Sequence, residues 1–130
     1  MLRALTLTTV CLASALGCAR PPERESRLSE DRLCEVSLSQ QLHQVTDVWG
    51  RRYGVIVWCH ASEAGAKAAG RTWQGKGEII VTVSPANGET PLSQEQRHDA
   101  EATLQAILEA VVHREGWERL YPKRLLQVVP

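Results

Sequence analysis

The residues suited to chemistry are scattered. Cys59-His60 sets a thiol beside an imidazole, a pair that could serve metal binding or thiolate chemistry. Successive residues of a strand point to opposite faces, so the two cannot converge on one ion without a bend. His60 with a nearby carboxylate would make an acid–base pair if the fold brought both into one pocket. His43, His98 and His113 share no ligand spacing and read as surface residues. His98-Asp99 with Glu101 offers an acid and a base, yet acidic residues at a helix start simply complement the helix dipole. Gly70-Arg71-Thr72-Trp73-Gln74-Gly75-Lys76-Gly77 nearly spells a phosphate-binding loop. It lacks the Ser or Thr that would hold Mg²⁺, and it leads into a strand instead of the helix whose N-terminus would receive the phosphate. Gly-x-Ser-x-Gly, His-Glu-x-x-His and an Asp-rich calcium loop do not occur in the sequence. The expectation is a chain without catalytic residues, metal, cofactor or nucleotide.

Four Trp and no Phe stand among 130 residues. Trp49, Trp58 and Trp117 fall at core-facing or strand positions and read as packing. Trp73 does not. Placed between Arg71 and Lys76 in a Gly-rich stretch, it is the candidate contact residue for a partner, with those two cations beside it.

The cysteines point to a compartment. Met1-Leu2-Arg3 is followed by an uncharged run from Ala4 to Leu16 and then by Gly17-Cys18, the layout of a secretory signal. About twelve apolar residues are too few to span a bilayer, which takes about 20 in a helix. Ala15-Leu16-Gly17-Cys18 resembles the bacterial lipobox, which implies acylation of Cys18 (palmitate among the chains) and cleavage before it. Ordinary cleavage after Ala13-Ser14-Ala15 is the alternative. The resemblance implies a lipoprotein facing the periplasm, and Ala19, which lacks the Asp that holds many lipoproteins in the inner membrane, favours the outer membrane while leaving the inner one open. Cys11 leaves with the signal. Cys34 and Cys59 then remain as an even pair in an oxidising compartment. A bridge between them would close a loop of about 25 residues and add about 3 kcal/mol. If each lay on one of two parallel neighbouring strands they would sit at opposite ends, so two separate thiols are the other reading. Lys plus Arg and Asp plus Glu number fifteen each. Near-neutrality gives no reason to expect nucleic acid or an anionic lipid surface as partner.

The elements that must position these residues follow from patterning. Residues 1–17 form the signal peptide. Residues 18–32, nearly all charged or Pro after Cys18, suit a flexible tether, and 33–130 make one small α+β domain. Cys34-Glu35-Val36 is a short first strand. Ser37 and Gln40 offer a capping box, and Leu38, Leu42, Val45 and Trp49 recur at helical spacing to a Gly54 cap. Val55–Cys59 is a buried strand, and Ser62–Gly77 a loop with one helical turn at Glu63–Ala69. Glu78–Val83 is a strand whose edge is a candidate contact surface. Ser93 with Gln96 caps a second helix carrying Leu104, Ile107, Leu108, Val111 and Val112 as far as Gly116, and Arg124–Val129 closes the domain. The expected fold is a small mixed sheet of about four strands with two helices packed on it, in β-α-β, β-α-β order. Leu42, Val45, Trp49, Gly54 and Val55 match Leu104, Ile107, Val111, Gly116 and Trp117 at one constant interval. Either duplication or two similarly capped helices accounts for that.

Residues 34–129 resemble the short domain at the N-termini of secretins and TonB-dependent receptors. Leu42, Val45, Trp49, Gly50 and Gly54-Val55-Ile56-Val57 take the first set of the family's places, and Leu104, Leu108, Val111-Val112 and Gly116-Trp117 the second. Thr46 departs from the family's usual Leu, and the linkers at 62–77 and 84–97 are longer. The resemblance implies a non-catalytic module that binds a protein of the envelope. The rival readings are a free periplasmic enzyme using His60 and a purely structural lipoprotein.

Overall fold

The computed structural model describes residues 23–130, with side chains from residue 28 onward. The expected signal peptide, Cys18 and the first part of the expected tether lie outside the described residues. The chain runs α1 (Glu23–Asp47), β1 (Tyr53–His60), α2 (Glu63–Ala68), β2 (Glu78–Pro85), α3 (Gln94–Glu115) and β3 (Lys123–Val128). The three strands form one mixed sheet in the order β1-β2-β3. β1 pairs antiparallel with β2 and β2 pairs parallel with β3. The α+β class is as expected, with one strand fewer and one helix more.

The missing strand is Cys34-Glu35-Val36, which lies inside α1. Asp31, Cys34, Leu38, Leu42 and Thr46 are all buried, and their three- and four-residue spacing is the period of a helix. That row also moves the start of the folded unit. Residues 23–32, assigned from composition to the tether, are helical, and buried Asp31 accepts a 2.7 Å hydrogen bond from the Tyr121 hydroxyl. Ser37 therefore sits in mid-helix and caps nothing. α1 ends at Asp47, and the left-handed residue after it is Gly50, at φ 73°. Gly54 lies within β1 opposite Ser84. The constant interval between the halves thus pairs a strand glycine with Gly116, a true left-handed cap at φ 73°. The helix ends are not equivalent.

Cys34, Leu38 and Leu42 of α1 and Leu104, Leu108 and Val112 of α3 cover one face of the sheet, where they meet Val57, Cys59, Ile79, Val81, Val83 and Val128. α3 begins at the expected Ser93–Gln96 capping box, both of whose hydrogen bonds form. Arg124 Nε donates to Glu109 Oε2 at 2.8 Å and ties β3 to α3. Cys34 on α1 and Cys59 on β1 are bonded through their sulfurs, with Cα atoms 6.2 Å apart. The objection from opposite strand ends does not arise, because Cys34 is on the helix that runs back along β1.

Candidate functional site

Among the described residues, no long helix lies on the second face of the sheet. Strand alternation sends Ile56, Trp58 and His60 of β1 to that face, and the register sets them beside β2 and β3 in rows. Trp58, Ile80 and Leu125 form one row across all three strands. His60, Glu78 and Lys123 form the next, at the sheet's end.

The polar row is closed off. His60 Nε2 lies 2.9 Å from Glu78 Oε1, and Lys123 Nζ donates to Glu78 Oε2 at 3.1 Å. His60 is fully buried and Glu78 nearly so. Burial alone would raise the Glu78 pKa. The hydrogen bonds from His60 and Lys123, with their charges, outweigh burial and hold the carboxyl below its ordinary range. The lid over this row is α2 with the segment that follows it. α2 is capped by the Ser62 side chain, which accepts from the Gly65 amide. The Trp73 ring stands edge-on to His60 with centroids 6.4 Å apart.

Behind the row, on the α1 side, lies Asp31. Burial raises its pKa against the opposing effect of the Tyr121 hydrogen bond, and burial likewise raises that of Tyr121. A Cβ on Gly65 would overlap Asp31 Oδ2 and come 3.3 Å from the His60 Cβ, so only glycine lets α2 approach this closely. Asp31 Oδ2 and His60 Nδ1 are buried without a hydrogen-bond partner among the described residues.

The apolar row is open. Trp58 is 38% exposed, Leu125 48% and neighbouring Ile56 55%. Trp58, expected in the core, instead faces out, because its neighbour Cys59 takes the core side to reach Cys34. Arg71, Thr72 and Gln74 overhang Ile80 and Leu125 and enclose with them a recess of about 410 Å³. Of the expected contact residues, Arg71 borders this face and Lys76 is exposed away from the recess, while Trp73 is half-buried against His60. The expected contact edge at Glu78–Val83 is not free. β2 is the central strand, and both its edges are paired.

His43, His98 and His113 are exposed, and His113 pairs with Glu118 at 2.7 Å. Asp99 is exposed with His98 near the start of α3, where no buried partner meets them. The Gly70–Gly77 segment leads into β2. No group of residues able to hold a metal ion occurs among the described residues, and none of their helices is long and apolar enough to cross a membrane. No protein-family model, curated protein or solved structure matches the chain.

Proposed function

We propose that the chain is an exported, lipid-anchored binding module of the bacterial envelope. It is acylated at Cys18 and holds a protein partner on the open face of its sheet, without catalytic residues. The observation that carries this reading is the row Trp58–Ile80–Leu125, whose two outer members are exposed, flanked by exposed Ile56 and bordered by Arg71. Contiguous exposed apolar surface of this kind marks interaction sites in soluble domains. The Cys34–Cys59 bond supports export, since such bonds persist in oxidising compartments.

The enzyme alternative asks for a His60 atom that substrate can reach. Its Nε2 is taken by Glu78 and the ring is wholly buried, so the row His60–Glu78–Lys123 ties the three strands together at the sheet end, beneath the lid. A purely structural lipoprotein would need no apolar face. In-cell crosslinking and capture of the tagged chain tests the reading, with Cys18→Ser and Leu125→Lys as comparisons. An envelope protein should be recovered from wild type and lost from both variants. Recovery of the same proteins, or of nothing, from all three sinks it.

A further inference from the structure

We propose that the edge of β1 left unpaired among the described residues, together with the flank of α1 beside it, is a groove that takes an extended segment of the partner as a fourth strand. This rests on the binding-module reading above and names the form in which the partner is held.

The Lys123 amide donates to the Gly77 carbonyl at 3.2 Å and the Val129 amide to the Val83 carbonyl at 2.8 Å. Residues 77, 79, 81 and 83 therefore turn their main-chain groups toward β3. Val81 is paired with Val57 and Val83 with Val55 in the antiparallel ladder. When the groups of Val81 and Val83 face away from β1, those of Val57 and Val55 face away from β2. Cys59 has the same parity, and its outward amide is satisfied from outside the sheet by Glu35 Oε2 at 3.1 Å. Val55 and Val57 have no such cap among the described residues.

Beside these two valines lies a groove of about 440 Å³, walled on the α1 side by Arg32, Val36 and Ser39. Val36 is 47% exposed there, facing the same opening as Ile56. The complementarity is electrostatic at the scale of the backbone. Alternating donors and acceptors at strand spacing are matched by another extended chain. Such a chain would send alternate side chains toward Val36 and toward Ile56 and Trp58. The Glu35 carboxylate at Cys59 closes the groove at one end and keeps the added ladder short.

The occupant is a bare segment and not a second copy. α1 lies against β1 alone among the strands and reaches its outer edge through Glu35. A second β1 added at the strand spacing of about 4.8 Å would carry its own α1 to about that distance from the first, where packed helices need about 8–10 Å.

The test uses random dodecapeptides displayed on phage and panned on the full chain with Cys34–Cys59 intact. Enriched peptides should carry apolar residues at alternate positions, and a synthetic one should shift the amide signals of Val55 and Val57. N-methylation of any one peptide amide turned to β1 should weaken binding about tenfold, the effect of losing one good hydrogen bond. Methylation of the alternate amides should not. Ile56→Lys and Val36→Lys should weaken it as well, but the methylated peptides decide the matter without altering the protein. Failure to enrich any peptide, or binding indifferent to N-methylation, overturns the proposal. A peptide that shifts Ile80 and Leu125 instead overturns the edge groove while leaving the open-face module standing. That module fails separately, through the capture experiment.

Discussion

Glu78 is the carboxylate on which the end of the sheet is built, receiving His60 and Lys123 on its two oxygens. Glu78→Ala leaves both unpaired and should cost about 3 kcal/mol in urea unfolding at pH 7. Because the folded-state pKa of Glu78 is lowered, its contribution is fully present above the ordinary value of 4.5 and is lost as pH falls through the lower folded value. The gap between wild type and variant should therefore narrow only in acid. Asp31 has the opposite sign. Its pKa is raised by burial, so its contribution is present below the ordinary value of 3.8 and lost as pH rises through the folded value. Asp31→Asn keeps an acceptor for Tyr121 and removes a buried charge, so at pH 7 it should be neutral or stabilising by about 1 kcal/mol. Matched urea curves at pH 7 check this, and a loss above about 2 kcal/mol would refute it. None of this was legible from residue types. His60 was visible as a candidate, but its partner ends up beside it only through the antiparallel register.

At the scale of elements, the second half of the chain was readable and the first half much less so. Ser93–Gln96 and Gly116 bracket α3 with local signals that depend on a few adjacent residues. α1 carries many charges, and its buried row includes Asp31 and Thr46, which a search for apolar periodicity passes over. Burial of those two polar residues is decided by Tyr121 and the main chain. Two close junctions hold the elements together. The Cys34–Cys59 bond clamps α1 to β1, and replacing both cysteines by Ser should cost about 3 kcal/mol, measured as the loss of stability at pH 7. At Gly77, where β2 begins, an added Cβ would run into the Leu120 carbonyl. That atom belongs to main chain beside fully buried Tyr121, so relief needs a backbone shift and not a side-chain rotation. Gly77→Ala should therefore cost about 3 kcal/mol or more, through overpacking against fixed main chain. A loss below about 1 kcal/mol in the same assay would show that the segment can shift.

At the scale of the molecule, two long helices serve three strands on one face, and among the described residues the other face is capped at its end by α2 and the 70–77 segment. Leu125→Lys and Ile56→Lys, at positions roughly half exposed, should each change stability by less than about 1 kcal/mol while abolishing capture of the partner. Thermal unfolding beside the capture assay separates that outcome from simple misfolding. The sequence by itself determined the class of fold, the three strand segments after the first helix, and α3. These follow from alternation, caps and β-branched runs that act over neighbouring residues. It also named Cys34, Cys59, His60 and Trp73. Only the tertiary structure decided that β2 is the central strand, that Trp58 faces out, and that Val55 and Val57 turn their main chain away from β2. Each depends on strand order and register, which are set by the burial of one shared face and by contacts between residues far apart in the chain.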